Sequence, residues 1–294
     1  MAGWPNLSDL IVGIETKAPV GLVGAPLAAG SVTAGQCDLA PAMLRQTLRR
    51  IGRYDVETQQ ELDSDIADRG DVEIAGLSIE EATPLIAKAV RYSVSLHELT
   101  LLVGGNNAVT RPGVHGLGMS LDKVGLITLD AHFDMRETRE GLSNGNPVRA
   151  LIEDGLPGRN IAQIGLASFA NSRKMHDDAL AAGNLVVTVE EVRRHAIRPV
   201  VERALKHVAH CDALFVDCDI DVIDRSQFPG APGARPGGMA AHDFFAAVRR
   251  LAADPRVRVI DLTEWDPPLD QTDLSALTAA RWVAECLAGF EQRP

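Results

Sequence analysis

Two short acidic segments carry residue types and spacings that suit divalent metal ions: Leu129-Asp130-Ala131-His132-Phe133-Asp134 and Asp217-Cys218-Asp219-Ile220-Asp221. Each follows or lies within an apolar, β-branched run, Val124 to Leu129 and Ala213 to Val216, and so reads as the end of a buried strand. Side chains two apart on a strand share a face. Asp130, His132 and Asp134 therefore begin on one side of a sheet edge, as do Asp219 and Asp221. Carboxylates with an imidazole fit Mn²⁺ or a similar first-row ion better than a thiolate-rich structural zinc site. Either segment alone also fits an ordinary polar strand end. Together they crowd carboxylates that would repel one another unless a cation neutralised them.

The elements that must position these segments alternate between strand and helix. Strands are expected at Val20 to Val23, Leu101 to Val103, Val124 to Leu129, Asn160 to Leu166, Leu185 to Val189, Ala213 to Val216 and Val257 to Leu262. Helices are expected at Pro41 to Ile51, Ser78 to Leu99, near Ala108 to Leu117, and at Ser172 to Ala182, Glu190 to His210, His242 to Leu251 and Leu274 to Leu287. Ser78 with Glu81 three residues on fits a capping box. This alternation predicts an α/β fold: a central, mainly parallel sheet with helices on both faces, and ligands bound outside the carboxyl ends of the strands. Both acidic segments fall at that edge.

The 294 residues are read as a single domain, 1–294, because no linker, repeat or low-complexity run interrupts them. The Pro/Gly cluster from Phe228 to Gly238 follows the second acidic segment directly and reads as a site loop. A formal net charge of -11 argues against nucleic-acid binding, which needs basic patches to displace counterions. With no charged-then-apolar leader and no apolar run of about 20 residues, a cytoplasmic protein without a membrane partner is expected. Cys37, Cys211, Cys218 and Cys286 show no paired metal spacing and read as free thiols. Gly21 to Gly30 lacks a dinucleotide-binding spacing.

Four motifs in chain order resemble the ureohydrolase superfamily of arginases, agmatinases and formimidoylglutamases. They are Gly104-Gly105-Asn106-Asn107, Asp130-Ala131-His132-Phe133-Asp134, Asp219-Ile220-Asp221 with Asp224 and the Pro229 to Gly238 loop, and Asp261-Leu262-Thr263-Glu264-Trp265-Asp266-Pro267. The resemblance implies the three-layer α/β/α sandwich of the arginase-like fold. It also implies two Mn²⁺ ions bridged by Asp130 and Asp219, with Asp134 on one and His132 and Asp221 on the other. Water bound to such ions has its pKa lowered to around 7 and supplies the nucleophile at neutral pH. Asp134 is implied as the proton carrier to the departing amine, and Glu264 as the group that grips the cationic amidine.

One departure stands out: the family's first motif ends in a metal-binding histidine, and this chain has Asn107. An amide oxygen is a weaker donor than imidazole, so Asn107 is expected to be a weak or vestigial ligand and the adjoining ion to bind loosely. His115, further along a helix, reads as structural. Where arginases and agmatinases carry a histidine after the first metal segment, this chain has Ser143-Asn144-Gly145-Asn146-Pro147. Asp134-Met135-Arg136 and Phe169-Ala170-Asn171-Ser172-Arg173 are similar to formimidoylglutamases. Arg136 can hold a substrate carboxylate bidentately, or form a surface salt bridge with Glu137 or Glu140. Arg136, Asn144, Asn171 and Glu264 are the candidate substrate-binding residues. The expected activity is hydrolysis of N-formimidoyl-L-glutamate to L-glutamate and formamide, by a homo-oligomer acting on a small molecule. The rivals are an agmatine or guanidino-acid hydrolase releasing urea, and a non-catalytic binding protein.

Overall fold

The computed structural model describes residues 4–294. In chain order the strands are β1 (Ile11–Val12), β2 (Val20–Ala25), β3 (Tyr54–Asp55), β4 (Gln60–Glu61), β5 (Ile66–Asp71), β6 (Leu99–Gly104), β7 (Val124–Leu129), β8 (Ile161–Leu166), β9 (Leu185–Thr188), β10 (Ala213–Cys218) and β11 (Val257–Leu262). The α-helices are α1 (Ala40–Thr47), α2 (Ile79–Leu96), α3 (Thr110–Gly116), α4 (Pro147–Glu153), α5 (Arg173–Ala182), α6 (Val189–His195), α7 (Ile197–His207), α8 (Ala241–Ala252) and α9 (Leu274–Phe290). β3 and β4 form a small antiparallel hairpin. The other nine strands form one sheet in the order β1-β5-β2-β6-β11-β10-β7-β8-β9, with parallel pairing throughout.

The central strands are continuous apolar runs because both their faces are covered. Ile127 and Leu129 of β7 enter the core that takes Leu44 of α1, Val200 of α7, Phe244 of α8 and Trp282 of α9. Val124 and Leu126 of the same strand face the opposite core, with Ile86 of α2, Val114 of α3, Leu151 of α4 and Ala179 of α5. The fold is the expected three-layer α/β/α sandwich around a parallel sheet. Among the described residues no helix is long and apolar enough to cross a membrane. All four cysteines are free and buried.

Local signals set most boundaries. Ser78 and Glu81 cap α2 reciprocally, the serine hydroxyl receiving the Glu81 amide at 3.2 Å and the Glu81 carboxylate receiving the Ser78 amide at 2.9 Å. The helix stops at Leu96, so Leu99 opens β6 rather than closing α2. The segment Glu190 to His210 divides into two helices at Ala196, whose φ of 61° no helix accommodates.

Candidate metal centre and substrate cavity

Parallel pairing of β7 with β10 sets Leu129 opposite Cys218, so the next residues, Asp130 and Asp219, leave neighbouring strands at the same edge of the sheet. Asp130, Asp134, Asp219, Asp221 and Glu264 are all buried, and His132 is partly exposed. Ligand atoms of Asp130, His132 and Asp221 lie within 4.8 Å of one another, as do those of Asp130, Asp134 and Asp219. Asp130 belongs to both groups; Asp219, expected to be shared as well, falls in the second only.

The residues present fit a pair of divalent cations. Asp130 Oδ2 is buried without a hydrogen-bond partner, a costly state for a carboxylate oxygen that a cation would relieve. The donors are hard carboxylate oxygens and one imidazole, a set that suits Mn²⁺ and its neighbours. Electrostatics tell the same story. Burial pushes Asp130 up to about 6 and Asp134 well above the usual carboxylate range, with neighbouring carboxylates adding to the rise. Burial likewise lifts Asp219, aided by Asp221. The Asp221 carboxylate pushes His132 up to about 12 against its burial, across a 3.0 Å contact. Burial opposes ionisation of Asp221 too, but His132 outweighs it and holds that carboxyl low. A proton on His132 thus supplies positive charge that the carboxylates demand.

Backbone hydrogen bonds shape the two segments. Asp130 Oδ1 accepts the His132 amide at 2.6 Å and Asp219 Oδ1 accepts the Asp221 amide at 3.0 Å, so each segment coils around its own first aspartate. Asn171 ties down the first segment: its amide oxygen receives the Phe133 amide at 2.9 Å and its amide nitrogen donates to the Ala131 carbonyl at 2.9 Å. A Cβ on Gly233 would lie 1.9 Å from Asp221 Oδ2, so only glycine lets the Pro/Gly loop close over the centre there. Asp134 and Glu264 have φ of 51° and 61°, left-handed conformations rare outside glycine and asparagine that cluster at functional sites.

Asn107 turns the other way from a ligand. Its amide oxygen accepts hydroxyls of Thr110 and Thr263, each at 2.8 Å, and its amide nitrogen donates to Asp134 Oδ2 at 2.6 Å. In this arrangement it presents N–H rather than oxygen to the centre. Its backbone amide donates to Glu264 Oε1 at 2.7 Å, and Asn144 Nδ2 donates to the same oxygen at 2.8 Å. Burial pushes Glu264 up to about 7 despite those two donors. Asn144 Oδ1 receives the Val32 amide at 2.8 Å, which joins the glutamate to the segment over the cavity.

A cavity of about 140 Å³ opens above, lined by His132, Asp134, Arg136, Asn144, Asn171, Asp219, Asp221, Arg235 and Glu264 among others. Arg136 lines it without an ion-pair partner among the described residues; Glu137 instead pairs with Lys174. His115 lies elsewhere, 2.8 Å from Asp154, as a structural residue should. Trp265 is core, edge-on to Phe228 with ring centroids 6.5 Å apart.

Two features escaped the reading of the sequence. Asp217 and Asp261 sit side by side on β10 and β11, fully buried and both touching the Thr110 hydroxyl, at 3.3 and 3.0 Å. Burial raises both carboxyls, Asp261 to about 7, and the Asp261 carboxylate adds to the rise at Asp217. The signal was an aspartate inside each of two apolar strands. The other is Arg235, which reaches the cavity by a loop path that no periodicity encodes.

Comparison with known proteins decides the family: residues 18–289 match the arginase family. The chain belongs to it. It is 30% identical to the formimidoylglutamase of Bacillus subtilis (strain 168) over 298 residues, covering 98% of this chain and 93% of that one. It is 30% identical to the formimidoylglutamase of Halobacterium salinarum over 276 residues, 92% of this chain and 87% of that one. The solved structure of formimidoylglutamase from Bacillus subtilis subsp. subtilis superposes with a TM-score of 0.94 at 27% identity, covering 100% of this chain and 94% of that one. As an arginase-family protein the chain is a hydrolase of linear amidine or guanidino compounds, with two clusters able to hold metal.

Proposed function

We propose that this arginase-family hydrolase is a manganese-dependent formimidoylglutamase, converting N-formimidoyl-L-glutamate and water into L-glutamate and formamide. The observation that carries the reading is Arg136, a guanidinium without an ion-pair partner among the described residues, in a cavity that also holds Asp134, Asp219, Asp221 and Glu264. An anionic substrate gains from it, and the dication agmatine would be repelled. The names of the relatives at 30% identity support the same choice.

Asp130, His132, Asp134, Asp219 and Asp221 would hold two Mn²⁺ ions, which lower the pKa of bound water and so make a nucleophile available at neutral pH. Glu264 Oε1 is fixed by Asn107 and Asn144, leaving the carboxylate to grip the amidinium and keep it planar. Asp134 carries the proton to the departing amine of glutamate, with Asn107 Nδ2 holding its carboxylate in place. Asn144 and Asn171 have both ends of their amides engaged within the protein and serve as supports of the site.

The test is turnover by the Mn²⁺-loaded protein of N-formimidoyl-L-glutamate, agmatine and L-arginine, following formamide and urea. Formamide from the first substrate alone is expected. Urea from either guanidino compound would move the assignment to that branch, and no turnover of any of them would favour a binding protein.

A further inference from the structure

Arg235 stands two residues beyond Gly233, on the loop that closes over Asp221, and it lines the same cavity as Arg136. It too has no ion-pair partner among the described residues. Its Nη1 is held by three carbonyls of its own loop, Pro232 at 3.3 Å, Gly233 at 2.9 Å and Ala234 at 3.1 Å. Arg225 pins that loop with a second guanidinium, donating to the carbonyls of Ala231, Pro232 and Ala234 at 3.1, 3.4 and 3.4 Å. The Nε and Nη2 edge of Arg235 makes no hydrogen bond among the described residues. That edge is the one that binds a carboxylate with two parallel hydrogen bonds, and anchoring Nη1 removes part of the ordering cost.

We infer that Arg235 is a second carboxylate receptor and that the cavity selects dicarboxylates, with Arg136 and Arg235 each taking one carboxylate of the substrate. The inference rests on the proposed amidine-acid reading and narrows it. The cavity reaches Asp134, Asp219, Asp221 and Glu264 at one end and carries these two guanidinia besides, so it fits a cationic amidine on a dianionic acid. A monocarboxylate would leave one of them without a partner. Arg235 is a specificity residue; the loop carbonyls, not the metal ligands, set its position.

The experiment uses ligands that cannot react, so that it stands apart from turnover. Binding of glutarate and of butyrate to the Mn²⁺-loaded full-length protein is measured by calorimetry, for the unaltered chain, R235Q and R235K. The unaltered protein is expected to bind glutarate more tightly than butyrate by about tenfold, the scale of one partly exposed charged pair. R235Q should erase most of that preference with little change for butyrate, and R235K should keep part of it through charge alone. A protein that binds the two acids equally, or an R235Q that loses both alike, would overturn the inference. If R235Q fails to fold, the unaltered protein's preference and R235K decide it. A dicarboxylate preference without formimidoylglutamate turnover would sink the proposed reaction and leave the two-receptor cavity standing.

Discussion

At the scale of single residues, the proposed function would load three demands on Asp134: a metal-binding charge, a proton carrier and the left-handed backbone it already has. Asparagine separates them, because it tolerates positive φ about as well as aspartate and can still accept the Asn107 amide hydrogen. Asp134→Asn should therefore fold normally, with kcat falling by roughly 10² or more while KM changes little. Steady-state kinetics at saturating Mn²⁺ would check this; an unchanged kcat would assign the proton transfer elsewhere. The clustering of Asp130, His132, Asp134, Asp219 and Asp221 was legible because both acidic segments follow apolar strands to one edge of the sheet, although each coils beyond its strand instead of keeping the two-residue alternation. The role of Asn107 was not, since the direction of its amide is decided by Thr110 and Thr263, the latter 156 positions away in sequence.

Among the elements, α9 shows how a helix end is held by a residue outside it. Asp270 Oδ2 accepts the Ser275 amide at 2.7 Å and its Oδ1 accepts the Thr272 amide at 2.8 Å. Burial opposes its ionisation, but the Ser275 and Thr272 hydrogen bonds together outweigh it and lower the carboxyl to about 2. A depressed folded pKa means stability that is present above the unfolded value of about 4 and lost as pH falls toward about 2. Asp270→Asn should cost on the order of 1 kcal/mol at pH 7, the difference between a charged and a neutral acceptor, and much less near pH 2. Denaturant melts at both pH values would show it; an equal cost at both would mean shape, not charge. Strands β6, β7, β10 and β11 could be read from sequence because burial on both faces leaves an unbroken apolar run. β5 could not: Ile66–Asp71 lies toward the edge of the sheet and carries charges, Asp68 and Asp71, that pair with Arg45 at 2.7 and 2.6 Å. Nor could the break at Ala196, which no glycine marks, or α4, whose seven residues are too few for a periodic stripe although Pro147 opens it.

For the molecule as a whole, the crowded carboxylates make stability depend on metal and pH together. In the metal-free chain Asp130 is raised to about 6 and Glu264 to about 7, both above the roughly 4 of an unfolded chain. His132, raised to about 12, acts with the same sign. The folded form then binds more protons than the unfolded one, so the stability of the metal-free protein falls as pH rises through that window. Asp221, held low, acts oppositely but only in more acid solution. Metal bound by the two clusters would replace those protons. At about 100 times its dissociation constant an ion would add about 2.7 kcal/mol, roughly 4 °C in Tm for a chain of this size. The Tm gap between Mn²⁺-loaded and chelated protein should widen from pH 5 to pH 8, as scanning calorimetry would measure. A gap that stays constant would place the titrating groups outside the centre.

The left-handed backbone at Asp134 also bears on how the sequence can drift. Glycine there relieves a strain on the order of 1 kcal/mol and removes one of several mutually repelling carboxylates. Either change leaves a hydrogen of buried Asn107 unpaired, but loss of Glu264 would strand Asn144 as well, so the gain at position 264 is offset further. A random library screened for thermal survival without metal should therefore enrich Asp134→Gly, yet leave Glu264 in place. Selection for durability alone would then erode first the residue proposed to carry the proton.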